Sequence, residues 1–266
     1  MTEEMYDRDE TGSALDALVK LVGALPEPFV LLGGWAVYHT VHDSYLQDHG
    51  SPYLGSRDID VGFHVDPSWS DDELRSSPLS RAIEVARGTG YYPMGSFRYC
   101  RTIEKTTGRE LTEEESKRIP IYDLFYLYLD IMVDRIHDRQ SDLLGPKAMD
   151  EPMLIKVFDE DIGVPVRIGD ARVVVPPPHL LLAMKLKAVP SRQKDDKILK
   201  DACDIYALIW HSEGGMDRIL RSVRSEHPEE CRSGLEAITD DVARRAAGHL
   251  GVEVESYLDV VRRLGQ

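Results

Sequence analysis

The chain has 266 residues, 42% of them hydrophobic and 30% charged, with a formal net charge of -15. That length buries a core, and the composition is that of a globular protein. The acidic balance excludes a bulk nucleic-acid coat, yet leaves room for a local basic grip. No run of about eighteen apolar residues is present and the N-terminal stretch is acidic and polar, so neither a membrane span nor a signal peptide is expected. Cys100, Cys203 and Cys231 are far apart and odd in number, which fits neither a disulfide framework nor a zinc set and points to a reducing cytoplasm.

In chain order, residues 1–12 read as disordered. Ser13 is placed to cap a helix carrying Leu15, Leu18, Val19, Val22 and Leu25, which Pro26 and Pro28 end. Residues 29–32 form a short apolar strand closed by Gly33 and Gly34, and 35–45 a helix. Residues 57–65 alternate, Ile59, Val61 and Phe63 to one side and Asp58, Asp60 and Gly62 to the other, as a half-buried strand does. A helix over 71–87, broken near Pro78, a strand over 91–103 and a lid or short helix over 107–119 come next. Residues 123–133 read as a strand, 136–162 resist assignment, and 164–175 read as a hairpin turning at Gly169-Asp170. After Pro176-Pro177-Pro178 the pattern is helical: 179–188, 195–211, 215–224, 228–248 and 252–264. An α/β (α+β) domain over 1–176, a mixed sheet flanked by helices, followed by a helical bundle over 177–266, is the expected architecture.

Three features carry chemistry. Gly33 and Gly34 follow a strand and open a helix, where free N–H groups and absent side chains favour a phosphate; the plain alternative is a turn. Asp58 and Asp60, two apart on a strand, project from one face and can share metal ions, though such a pair is also ordinary solvent-facing polarity. Asp130 is a lone carboxylate in an apolar strand, costly to bury unless compensated; Asp134, four residues on, shares its face and is a rival. Two Mg²⁺ or Mn²⁺ ions bridged by such carboxylates serve phosphoryl transfer. In the second half, Lys185 lies between Met184 and Leu186 in an apolar helix, a point charge suited to a triphosphate or else a snorkelling lysine. On 195–211, Ile198, Ala202, Ile205 and Ile209 form the expected buried stripe, with Asp201 and Asp204 at its border. Lys185, Lys187, Arg192, Lys194, Lys197 and Lys200 make the densest basic segment, with Arg192, Lys194 and Lys197 the expected grip on an RNA acceptor. His39, His42 and His49 read as surface or packing residues.

Leu32-Gly33-Gly34, Asp58-Ile59-Asp60 and Asp130 together resemble the polymerase-beta-like nucleotidyltransferases. Lys185-Leu186-Lys187-Ala188 with Arg192, then Lys200-Asp201-Ala202-Cys203-Asp204, and Ser56 two before Asp58, look like the AbiEii-type branch, which includes toxins of type IV toxin–antitoxin systems. The resemblance implies a minimal nucleotidyltransferase sheet and transfer of a nucleoside monophosphate from an NTP with loss of pyrophosphate. It implies Asp58, Asp60 and Asp130 as metal ligands, Gly33, Gly34, Ser56 and Lys185 toward the NTP, and Lys185 and Asp204 as further catalytic residues. The partners it implies are the NTP, an acceptor such as a tRNA 3′ end, and a cognate antitoxin. A protein side chain or a small molecule is an alternative acceptor. A two-metal nuclease or phosphohydrolase is the rival enzyme class, and a non-catalytic binding protein the rival outside enzymology.

Overall fold

Alternation over residues 58–63 is realised as a strand whose Ile59, Val61 and Phe63 are fully buried while Asp58 and Asp60 stay half-buried on the other face. The computed structural model describes residues 8–95, 97–145, 147 and 149–266. The strands are β1 (Val30–Leu32), β2 (Asp58–Phe63), β3 (Tyr92–Met94), β4 (Arg98–Glu104), β5 (Glu110–Leu111), β6 (Leu124–Val133), β7 (Met149–Asp150), β8 (Val164–Ile168) and β9 (Ala171–Val175). They form one mixed sheet in the order β3-β4-β6-β2-β1-β9-β8, with β5 on β4 and β7 on β6. β2 runs parallel to β6, while β1 is antiparallel to β2 and β4 antiparallel to β6.

The helices are α1 (Arg8–Val22), α2 (Gly33–His49), α3 (Asp71–Ser76), α4 (Pro78–Gly88), α5 (Glu113–Ser116), α6 (Gln140–Leu144) and α7 (Leu154–Asp159). After the triple proline come α8 (Pro178–Ala188), α9 (Asp195–His211), α10 (Met216–Glu226), α11 (Pro228–Ala237), α12 (Asp240–Leu250) and α13 (Val254–Arg262). The described chain divides into two units. A sheet unit holds 8–35 and 56–176, and a helical unit holds 36–55 and 177–266. Most of α2 therefore clusters with the C-terminal helices, although the sequence assigns it to the first domain. Among the described residues no helix is long and apolar enough to cross a membrane.

The mixed α/β class and the helical C-terminal segments are as expected, and several boundaries are not. α1 begins at Arg8, so Ser13 lies inside the helix and caps nothing; residues 1–7 of the expected disordered stretch lie outside the described residues. Its buried side chains are Ala14, Ala17, Leu18, Leu21 and Val22, and Val19 faces outward. The strand expected over 91–103 is two strands, β3 and β4, paired antiparallel and separated by a turn at Gly95, whose φ of 68° suits a residue without a Cβ. Pro78 opens α4 rather than breaking a longer helix: Ser77 caps it and proline sits in its first turn, where no N–H is needed. The long helix expected over 228–248 is two, because Thr239 leaves helical geometry and caps α12 through the Val242 N–H.

In the helical unit α9 is the central element. Leu199 through Ile209 are all buried, so the one-sided stripe expected there is wrong. Ile198 is half-buried, and Asp201 and Asp204 lie inside rather than at a border. A helix buried all round is what a bundle core needs, and α8, α12 and α13 pack against it.

Candidate active site on the sheet

The site is built from strand register. Asp60 of β2 lies beside Asp130 of β6, Asp58 beside Tyr128, and Arg98 of β4 beside Asp130 from the other side. Side chains two apart on a strand share a face, so Asp58, Asp60, Tyr128, Asp130 and Arg98 stand together on one. Asp134 does not compete for this place. It follows the end of β6, where it is buried, accepts the Val65 N–H at 2.8 Å and pairs with His64 Nδ1 at 2.6 Å.

Asp60 is also the register partner of Leu32, the residue before Gly33. Gly33 has a φ of 62°, and a Cβ there would lie 1.8 Å from Asp60 Oδ2. Only glycine gives both the left-handed backbone and the room. The first turn of α2 carries no acidic side chain of its own. Its N-terminal N–H groups, with the positive end of the helix dipole, favour an anion here. Gly34 is buried in that turn. Ser56, 8% exposed, turns its hydroxyl onto the backbone carbonyl of Asp58 at 3.2 Å, which fixes the start of β2.

Arg98 has no counterpart among the sequence expectations. Its Nε donates to Asp130 Oδ1 at 2.8 Å and its Nη2 to Asp130 Oδ2, a two-pronged ion pair. Nη2 also lies 4.0 Å from Asp58 Oδ2, and the guanidinium carbon is 4.2 Å from the centre of the Tyr128 ring. Hydrogen bonding to Asp130 raises the Arg98 pKa, against the opposing effect of burial. The face thus brings Asp58, Asp60 and Asp130 together with the Arg98 guanidinium, whose side chain is 34% exposed. Among the described residues no three His, Cys, Asp or Glu side chains are arranged as a ready metal cage. The donors nevertheless suit a hard divalent ion: they are carboxylate oxygens on one face, and a cationic group has already been drawn in among them.

The remaining sequence-singled residues lie in the helical unit. Lys185 of α8 is buried. Its Nζ lies 2.7 Å from Asp201 Oδ1 and 2.7 Å from Asp204 Oδ2, so it neither snorkels nor points a free charge outward. Asp204, fully buried, also pairs with Lys200 Nζ at 2.5 Å and accepts the Tyr53 hydroxyl at 2.7 Å. Asp201 takes Arg192 Nε at 2.7 Å. Burial pulls the Lys185 pKa down, but Asp201 and Asp204 outweigh it and the net shift is upward; for Lys200 burial wins and the shift is downward. Of the six basic residues expected as a surface patch, Lys185 and Lys200 are interior. Lys187, Arg192 and Lys194 are exposed and Lys197 is half-buried.

The chain matches no protein-family model and no curated protein. Among solved structures it is similar to an antigenic nucleotidyltransferase-like protein from Paracoccidioides brasiliensis, with 15% identity and a TM-score of 0.39 over 85% of this chain and 93% of that one. So distant a likeness assigns neither a fold family nor an activity to the chain.

Proposed function

We propose that the chain is a metal-dependent nucleotidyltransferase whose reacting groups sit on the carboxylate face of the sheet. The observation that carries this reading is the register of Leu32, Asp60 and Asp130 across β1, β2 and β6, which sets two carboxylates beside the glycine-opened N-terminus of α2. A hydrolase needs carboxylates and metal; the adjoining anion-favouring helix start adds a place for a polyphosphate.

In this reading Asp58 and Asp60, with Asp130, hold Mg²⁺ or Mn²⁺, two ions when the set is complete. When bound, such ions neutralise phosphate charge and acidify the attacking hydroxyl. Gly33 keeps the helix start close to Asp60, and the first-turn N–H groups of α2 meet phosphate oxygens. Ser56 holds the strand end that carries Asp58. An acceptor hydroxyl oxygen attacks the α-phosphorus, the bond to the bridging oxygen breaks, and pyrophosphate leaves. The hydroxyl proton passes to a carboxylate of the set. Positioning supplies much of the rate in such transfers.

The acceptor we propose is RNA, a tRNA 3′ end being the simplest case. Its grip is the exposed Lys187, Arg192 and Lys194 of the basic segment with the half-buried Lys197, since an overall charge of -15 demands a local, salt-sensitive contact. Capping an RNA end would act as a toxin does, with a cognate antitoxin as partner. Lys185 and Asp204 are assigned a positioning role inside the helical unit instead of a direct grip on the triphosphate. The experiment is incubation with each α-labelled NTP, Mg²⁺ and total RNA. RNA should carry the label, and a triple Ser variant at Lys187, Lys194 and Lys197 should lose RNA labelling while keeping NTP binding. Label on protein or a small molecule instead overturns the acceptor; no transfer to anything overturns the enzyme class.

A further inference from the structure

The helical unit carries a cavity that the transfer chemistry does not use. Its volume is about 470 Å³, within the range of about 300–1,000 Å³ that small-molecule sites occupy. One wall is aromatic. Trp210 of α9 lines it with 48% of its surface exposed, a large apolar ring system left in water. The Trp210 ring lies nearly parallel to that of buried Tyr206, with 17° between the planes and 6.4 Å between the centres. Tyr206 is held in turn by the ring of Tyr257, 5.3 Å away, whose hydroxyl donates to the Ala202 carbonyl at 3.0 Å. His49 of α2 also lines the cavity, stacked at 4.2 Å on Tyr45. The wall is therefore set before a ligand arrives, which lowers the ordering cost of binding.

The rim is acidic. Asp48 near the end of α2, Glu253 at the N-cap of α13 and Asp259 within α13 line the cavity together with one cation, Arg263. Asp48 also meets His211 Nδ1 at 3.5 Å, a ring that burial keeps neutral near pH 7. Three carboxylates against one guanidinium turn an anion away and draw a cation in. Among the described residues no three His, Cys, Asp or Glu side chains are grouped to hold a metal ion. The rim charges come from separate points of the fold, so an extended organic cation matches them better than a point charge does. The aromatic wall adds to the preference, because the ring quadrupole attracts ammonium groups and alkyl carbons pack on indole. We propose that this cavity binds an aliphatic polyammonium ion, its methylenes on Trp210 and its ammonium groups paired with Asp48, Glu253 and Asp259. Binding here requires nothing of the carboxylate face of the sheet, so it stands or falls apart from the reaction proposed there.

The test titrates spermidine into the full chain, followed by calorimetry and by tryptophan fluorescence. Of the three tryptophans, Trp35 is buried and Trp69 half-buried, so Trp210 is the solvent-facing reporter. Parallel titrations use MgCl₂ at equal ionic strength and an end-capped tetralysine peptide, and thermal melting confirms the folding of each variant. Spermidine should bind saturably at one site and change the Trp210 emission, and Mg²⁺ should do neither. W210L should weaken spermidine binding about tenfold, the size of a desolvated cation–π contact. W210F keeps a ring and should restore most of the affinity. E253Q/D259N should weaken binding by a similar factor and flatten its salt dependence, and this exposed pair preserves the test if W210L folds poorly. Unchanged affinity in W210L and in E253Q/D259N overturns the site, and so does an absence of saturable spermidine binding to the wild type. An equal response to Mg²⁺ reduces the effect to charge screening and overturns it. Binding of tetralysine with spermidine silent gives the cavity to a basic protein segment and overturns the free polyammonium ligand.

Discussion

On the sheet, Asp58, Asp60 and Asp130 stand on one face, where the partly exposed Arg98 guanidinium pairs with Asp130 and lies 4.0 Å from Asp58. In the helical unit, Asp201 and Asp204 are matched by Lys185, Lys200 and Arg192 and by the Tyr53 hydroxyl. In the first set Asp58 and Asp60 are half-buried at the edge of the face and Asp130 is buried behind Arg98. The second gives two buried carboxylates three cations, with Asp204 fully buried. The contrast separates two uses of buried charge. A sealed, mutually satisfied network specifies packing and has nothing left to offer a ligand. Carboxylates clustered on one half-buried face favour a cation, and that is what a phosphoryl-transfer site requires.

Substitutions that separate the two sets come first. Asp60→Asn should lower nucleotidyl transfer by a factor of about a hundred or more, roughly 2.7 kcal/mol in the barrier. It should leave the melting temperature unchanged or slightly raised, because a repelling charge is removed. A scintillation count of label transfer beside a thermal melt checks it, and a variant that loses stability and activity together would place Asp60 with the structural charges. Lys185→Met should do the reverse in kind. Removing one partner of a buried network leaves Asp204 and Asp201 undercompensated, at a cost of about 3–5 kcal/mol in unfolding free energy. Denaturant titration measures it, and a loss below about 1 kcal/mol would show that the cluster is loosely held.

These two residues also show what the sequence disclosed. Alternation over 57–65 revealed a strand with Asp58 and Asp60 on one face, since side-chain period is a local property. Choosing between Asp130 and Asp134 was beyond it: both share a strand face, and only the pairing of β6 with β2 sets Asp130 beside Asp60. Arg98 was illegible for the same reason, because its place depends on the antiparallel register of β4, and the turn at Gly95 that frees β4 was read as continuous strand. Lys185 stood out as a charge in an apolar helix. Its partners are sixteen and nineteen residues further along, on a helix whose all-round burial a one-sided stripe conceals.

A third kind of interior polar group sharpens the contrast at lower amplitude. Burial, with His49 nearby, lowers the His211 pKa from 6.5 to about 4. As pH falls through 6.5 the unfolded chain takes up this proton and the folded chain does not. The contribution is therefore intact above 6.5 and lost as pH falls toward 4, on the order of 3 kcal/mol across the window. His39, also lowered to about 4 by burial, acts in the same direction. Denaturation followed from pH 7 to pH 4 should show falling stability, and His211→Phe should reduce the slope; an unchanged slope would mean that the ring is protonated in the folded state. The smallest effect is expected from Tyr53→Phe, which removes one of three partners of Asp204 and should cost about 1–2 kcal/mol with transfer intact.

The central claim, that the carboxylate face of the sheet is the transfer site, is tested most directly by following the two ends of one nucleotide. The protein is given an NTP labelled at the α-phosphate or at the γ-phosphate, with Mn²⁺ and total RNA. The account predicts α-label on the RNA and γ-label in pyrophosphate in equal amounts, with both signals lost in Asp60→Asn. Release of γ-label as inorganic phosphate without α-label on any acceptor, or transfer that survives Asp60→Asn, would contradict it.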